Sequence, residues 1–240
     1  MNQALPDIRK GFAPTGTLRA AINQGNSVLA QKGPNGEALG VTADLARELA
    51  KRLGLPLELV IFDAAGKVFE ALKAGKIDIV FLAIEPVRAA RIAFTAPYIT
   101  IEGVYLVPAG SSLSHADEVD RAGARIGVIA GSAYDLFLTR GLKHAELVRR
   151  PGPDEVRSEL VEGRVDLIAG VKPALEADAR TVPGSRLLPE AFMSIRQAMG
   201  TPREREAGAA YITQFIDDAR RTGLLAELFA RNRVEGGALA

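Results

Sequence analysis

Apolar positions along this chain fall into two kinds of run. From Thr42 to Leu53 they recur at helical spacing, and Leu45, Ala46, Leu49, Ala50 and Leu53 form one stripe, as in a helix with one face in a core. Thr42 is placed to cap its start, and Gly54 followed by Pro56 ends it. Gly66 to Ala74 repeats the pattern with Val68, Phe69 and Leu72, and Gly75 stops it. Thr17 to Ile22, Leu57 to Phe62 and Ile77 to Ile84 are instead short runs rich in apolar and β-branched residues. The last is almost wholly apolar, the pattern of a parallel strand covered on both faces.

The same grammar then returns. Arg125 to Ile129, Glu146 to Arg150 and Asp166 to Val171 read as strands, separated by helices at Ser132 to Thr139 and Pro153 to Glu162. Ser132 is the expected N-cap of the first helix, and Pro153 sits early in the second. Each half therefore reads βαβαβ, which predicts two α/β lobes with helices on the faces of largely parallel sheets. A small quasi-repeat, Gly75-Lys76-Ile77-Asp78 and Gly163-Arg164-Val165-Asp166, marks equivalent αβ turns. Ile101 to Pro108 and Ser194 to Gly200 are extended apolar crossings of the kind a hinge needs. Pro202 to Asn232 reads as helical, with Ala209, Ile212, Phe215, Ile216 and Ala219 on one stripe and Leu224, Leu225, Leu228 and Phe229 continuing it after Gly223. Val234 to Ala240 reads as frayed.

Composition narrows the chemistry. The 30 basic residues against 29 acidic ones give a net charge of +1, without the basic excess of a nucleic-acid binder. Cysteine is absent, which removes disulfides, thiol catalysis and cysteine metal sites. The two histidines, His115 and His144, are too few and too far apart for a histidine metal site or a Ser-His-Asp triad. No catalytic residue, metal or cofactor is expected. No apolar run approaches the length of a spanning helix, and Met1 to Gly16 lacks the pattern of a secretory leader.

The segment Ala83-Ile84-Glu85-Pro86-Val87-Arg88 through Ile92-Ala93-Phe94-Thr95-Ala96-Pro97-Tyr98 resembles the signature of the family 3 bacterial solute-binding proteins, the polar amino-acid receptors of ABC importers. Gly40-Val41-Thr42-Ala43-Asp44-Leu45 resembles the family's Gly-Phe-x-x-Asp-Leu helix start. The two Gly-basic-x-Asp turns and Gly131-Ser132 match further landmarks, in the family's order, from about residue 17 to about residue 230. The resemblance implies a periplasmic binding protein-like II fold, a Venus flytrap of two Rossmann-like α/β lobes joined by two hinge strands. Lobe 1 would be residues 1–104 plus 195–240, and lobe 2 residues 105–194. It further implies a monomeric receptor that clamps a small organic acid or amino-acid-like ligand and serves an ABC permease. Such a receptor is periplasmic, with a cytoplasmic ligand sensor as the alternative left by the absence of a leader.

By resemblance, Arg88 holds the ligand carboxylate with its planar fork, beside Ala83 and Glu85. Ser132 and the backbone of Ala133 and Tyr134 would accept an anion at a helix start, though plain capping by Ser132 explains the same residue. The family's ammonium-binding Asp falls on Val171, which cannot accept a hydrogen bond from a cation. The usual stacking loop is replaced by Asn23-Gln24-Gly25-Asn26-Ser27, so Asn23, Asn26 and Gln197 would supply neutral hydrogen bonds. A cleft without its ammonium acceptor points to an organic acid or other polar anion. Three alternatives remain open at this level. Glu85 replaces the lost Asp; Glu85 pairs with Lys172; or the cleft is an active site with Glu85 as general acid, as in cyclohexadienyl dehydratases of the same fold. Tyr98 reads as packing, and Glu102 as a hinge or pocket residue.

Overall fold

A computed structural model describes residues 5–240, so the reading of Met1 to Gly16 falls partly, at residues 1–4, outside the described residues. In chain order the elements begin with α1 (Leu5–Phe12), β1 (Leu18–Asn23), β2 (Gln31–Lys32), β3 (Ala38–Leu39), α2 (Val41–Leu53) and β4 (Leu57–Phe62). They continue with α3 (Ala65–Lys73), β5 (Val80–Ala83), α4 (Pro86–Ala89), β6 (Ile92–Phe94) and β7 (Ile99–Val107). After a 3-10 turn at Ala116–Glu118 come β8 (Arg125–Ile129), α5 (Ala133–Gly141), β9 (Glu146–Arg150), α6 (Pro153–Val161), β10 (Leu167–Val171) and α7 (Lys172–Thr181). The chain closes with β11 (Arg186–Leu187), β12 (Met193–Pro202), α8 (Glu206–Arg221), α9 (Leu224–Arg231) and β13 (Gly237–Leu239).

Two compact units result. The first runs to Thr100 and takes in Arg196–Val234 and Ala238–Ala240; the second is Ile101–Ile195 with Glu235–Gly237. The chain passes between them within β7 and β12, and again after Val234 and within β13.

In the first unit β1 and β4 pair in parallel, from Leu18 opposite Leu57 to Asn23 opposite Phe62. Ala20 bridges Ile79 in the same sense, which brings the segment leading into β5 alongside β1. β12 returns antiparallel to β5, with Gln197 opposite Ala83. Ala21, Val68, Leu72, Ile77, Val80, Leu82 and Ile92 close a core under this sheet. In the second unit β8 lies between β9 and β10, parallel to both, and β7 runs antiparallel to β10. Val104, Leu106, Val156, Leu160, Val165, Ile168 and Leu175 form its own core. No helix among the described residues is long and apolar enough to cross a membrane.

Several sequence expectations are corrected. Gly40, at φ 108°, is the N-cap of α2, and Thr42 lies inside the first turn. The Thr42 hydroxyl donates instead to the Leu29 carbonyl at 3.2 Å, tying the helix to the loop before it. The strand expected at Ile77 to Ile84 is shorter, because the side chain of Asp78 and its flanking backbone engage Arg19. The helical tail is two helices, since Pro202 still belongs to β12 and Gly223, at φ 81°, turns the chain between α8 and α9. Val234 to Ala240 is not frayed: Gly237–Leu239 pairs with β7, and Arg220 Nε donates to the Ala240 carbonyl at 3.0 Å.

Candidate functional site

Ligand sites of open α/β sheets lie beyond the carboxyl ends of the parallel strands. In the first unit those ends are Asn23 of β1 and Ala83 of β5, and six of the expected residues collect in the segments around them. Ala83 is followed by Glu85, the N-cap of α4, whose Pro86 opens the helix. One turn carries the chain to Arg88, which is 1% exposed. Its Nη1 turns back to donate to the Ala83 carbonyl at 3.2 Å. Gln197, buried, faces Ala83 across the β5–β12 ladder, and its own carbonyl accepts from the Tyr98 N–H at 2.9 Å. Burial pulls the Arg88 guanidinium down to about 10, with the negative charge of Glu85 acting in the opposite sense. A guanidinium this deeply buried is a built charge site rather than a surface cap.

The loop after β1 completes this end of the sheet. The Asn23 side-chain oxygen accepts from the Gly25 N–H at 3.1 Å and so shapes the turn itself. The Asn26 carbonyl accepts from the Leu29 and Ala30 N–H groups at 3.1 and 3.0 Å. Its side-chain Oδ1 is buried and has no hydrogen-bond partner among the described residues.

In the second unit the strand ends are Ile129 of β8 and Val171 of β10. Ser132 caps α5, its Oγ accepting from the Asp135 N–H at 3.1 Å. Asp135 answers by accepting from the Gly131 N–H at 2.8 Å, and Arg149 Nε holds its other oxygen at 2.9 Å. The Ser132 hydroxyl and the Asp135 carboxylate are thus both engaged within this turn. Asp135 was not singled out from the sequence, although Ser132-Ala133-Tyr134-Asp135 has the spacing of a capping box. Tyr134 is buried; burial pushes its phenol far up, with Ser132 and the Ile129 backbone acting against that. Val171 is the N-cap of α7 and contributes no side-chain cap bond. Lys172 beside it donates to Glu102 Oε2 at 2.7 Å, an ion pair within the second unit. Glu102 and Lys172 are cross-strand neighbours because Val171 stands opposite Gly103 in the β10–β7 ladder.

Tyr98 packs edge-on against Phe81 and Phe229, fully buried. Among the described residues no group of three or more His, Cys, Asp or Glu side chains could hold a metal ion.

The family model for bacterial extracellular solute-binding proteins, family 3, matches residues 18–233. The histidine-binding periplasmic protein of Escherichia coli (strain K12) is 32% identical over 139 residues, or 56% of this chain and 53% of that protein; the match spans about half the length of that relative. The cyclohexadienyl dehydratase of Pseudomonas aeruginosa is 25% identical over 229 residues, covering 88% of this chain and 80% of that enzyme. Among solved structures, the P235GK mutant of ArgBP from T. maritima matches with a TM-score of 0.81 at 20% identity, over 95% of this chain and 100% of that one. The ancestral amino acid-binding protein AncCDT-1, a precursor of cyclohexadienyl dehydratase, matches with a TM-score of 0.77 at 22% identity, over 96% of this chain and 99% of that one. These likenesses show the type II periplasmic binding protein fold, two α/β lobes with hinge strands.

Proposed function

The chain belongs to the bacterial extracellular solute-binding proteins of family 3, and on that premise we propose that it binds a small polar solute bearing a carboxylate. It does so as the receptor component of an ABC-type uptake system outside the cytoplasm, and without turning the solute over. The observation that carries this reading is Arg88: a guanidinium buried at the carboxyl ends of β1 and β5, braced on the Ala83 carbonyl. Its fork of donors suits a two-oxygen acceptor, which a lysine ammonium does not match. Isothermal titration of the full chain with amino, hydroxy and oxo acids, each beside its methyl ester, tests it. Free acids should bind and esters should not, and Arg88→Lys should weaken binding by about tenfold or more, as loss of a bidentate charged contact implies. Esters binding as tightly as acids would remove Arg88 from the role.

A second reading is supported by the relative that acts as a cyclohexadienyl dehydratase. On that reading Glu85, buried three residues before Arg88, is a general acid. A cyclohexadienyl dehydratase assay decides between them. Turnover by the purified chain that disappears in Glu85→Gln would favour the enzyme, and binding without turnover the receptor.

A further inference from the structure

The outer edge of β4 is open. Its ladder is to β1, and no other strand among the described residues pairs with it. The Leu18 N–H donates to the Pro56 carbonyl at 2.8 Å, and the Gln24 N–H to the Phe62 carbonyl at 2.7 Å. In a parallel ladder alternate residues turn their backbone groups to the neighbour. Pro56, Glu58, Val60 and Phe62 therefore face β1, and the N–H and C=O groups of Leu57, Leu59 and Ile61 point the other way. None of the six residues of β4 is fully buried, and Ile61 is 42% exposed. Natural edges are blunted by lysine, proline or a bulge. β4 has none of these: it is apolar but for Glu58, and its register with β1 runs unbroken. Glu58 stands opposite Arg19 across that ladder, so its charge is matched within the chain.

The ends of the strand say what fits along it. At its start the exposed Arg9 stands against Gly54, where a Cβ would meet the guanidinium Nη2 at 2.8 Å. At its finish stands Asp63, whose side chain is 66% exposed and whose bond to Lys67 is open to solvent. Ends of opposite sign favour an antiparallel neighbour of the same sequence over a parallel one. A two-fold axis at Leu59 sets Leu59 opposite its own copy and Leu57 opposite Ile61 of the second copy, with about six backbone hydrogen bonds. Glu58 then falls opposite Val60, and Asp63 comes to the Gly54 end where Arg9 stands, so no like charges meet.

We propose that the chain pairs with a second copy of itself, β4 against β4, antiparallel about Leu59, so that the β1–β4 sheets of two copies become one. A strand of this length buries little area, which places the contact at the weak end of specific interfaces, with a Kd on the order of 100 μM. The monomer expected from the family resemblance is then the dilute form.

Sedimentation velocity of the full chain from about 5 μM to about 1 mM, beside amide exchange read by NMR at both ends of that range, tests it. The 25.5 kDa monomer should give way to a dimer by mass action. Between the two concentrations the amides of Leu57, Leu59 and Ile61 should slow about fivefold, while those of Val60 and Phe62 stay protected throughout. Ile61→Lys, at an exposed position, should keep the melting temperature and raise the Kd about tenfold or more. Arg9→Asp and Asp63→Arg should each dimerise less than the wild type, and an equimolar mixture of the two should regain it, because each reversed end then meets its opposite. A wild type that stays monomeric at the highest concentration overturns the proposal. So does a dimer in which the outer amides of β4 gain no protection, since it forms elsewhere. A mixture that regains nothing overturns the antiparallel register. Protection of those amides only by an extended segment of another protein, with the chain itself monomeric, overturns self-pairing. The exchange measurement uses the wild type alone, so it decides the matter even where a variant fails to fold.

Discussion

Asp78 and Asp166 make the same clasp in the two units. Asp78 Oδ2 accepts from the backbone N–H and the Nε of Arg19, both at 2.9 Å, and Oδ1 from Nη2 at 2.8 Å. Asp166 takes the same three donors of Arg125, at 2.8, 3.2 and 3.0 Å. The quasi-repeat in the sequence is therefore more than a common turn: each Asp ties the entry of one strand to the start of its parallel neighbour. The two differ in setting. Asp78 is fully buried and also accepts from Arg205 Nη1 at 2.7 Å, whereas the Asp166 side chain is 39% exposed. Removing one partner of a buried charge network costs far more than opening a solvated pair. Asp78→Asn should therefore cost about 3 kcal/mol and Asp166→Asn under about 1 kcal/mol in urea unfolding at pH 7. Burial pushes the Asp78 carboxyl up, but the bonds from Arg19 and Arg205 outweigh it and leave it below the ordinary range. A carboxyl depressed in the folded state lends stability above its unfolded value and loses it as pH falls through the folded one. Asp78→Asn should therefore flatten the acid side of the stability curve, below about pH 4. An unchanged acid limb would contradict the assignment. Tyr98 invites the opposite expectation. Its ring is packed on two aromatic rings, yet its hydroxyl is buried without a partner among the described residues. Tyr98→Phe should be neutral or raise stability by up to about 1 kcal/mol, because it deletes an unsatisfied group and keeps the packing. A loss of 2 kcal/mol or more, on the scale of a broken buried bond, would show that the hydroxyl is engaged.

At the scale of elements, long periodic segments were legible and short or borrowed ones were not. α2 follows from its apolar spacing and breakers, α5 and α6 from Ser132 and Pro153 at their starts, and β8 and β10 from their apolar runs. α4 and β6 are too short to show a period, although α4 carries the centre of the candidate site. α7 buries only Leu175 and so writes almost no stripe. β13 exists because β7 offers an edge, which no local pattern reveals. At the site, Arg88 and Glu85 were legible from the signature, and Gln197 owes its place to ladder register. The unmet Asn26 oxygen is a property of packing alone. The misplaced cap at Thr42 has the same origin. Its N–H and hydroxyl both donate to the Leu29 carbonyl, at 3.2 Å each, so tertiary contact rather than capping uses this threonine. That contact needs Gly40, where a Cβ would stand 2.4 Å from the Leu29 oxygen at a φ that side chains resist. Gly40→Ala should lower stability by about 2 kcal/mol or more, and weaken ligand binding through the displaced Asn26 loop. Thermal denaturation and titration of the variant check both, and an unchanged melting temperature would mean that the loop is not held there.

For the whole molecule, the two βαβαβ halves in the sequence become two units with separate cores, and the chain passes between them inside β7 and β12. Two of the crossings, in β7 and β12, are themselves strands. Each unit nevertheless buries its own apolar cluster, and that argues for local stability that differs between them. Leu82 belongs to the first core and Ile168 to the second, and both are almost wholly buried. Truncation of either to alanine should cost about 2–5 kcal/mol. Hydrogen exchange shows where that loss falls. Leu82→Ala should raise exchange in β1, β4 and β5 while β8, β9 and β10 keep their protection, and Ile168→Ala should do the reverse. A uniform rise in both units for either variant would mean that the chain opens as one cooperative body, and that the separate cores do not act separately. The same measurement on the wild type with a bound amino acid should protect β1 and β5 first, since the strand ends around Asn23 and Ala83 carry the site proposed for it.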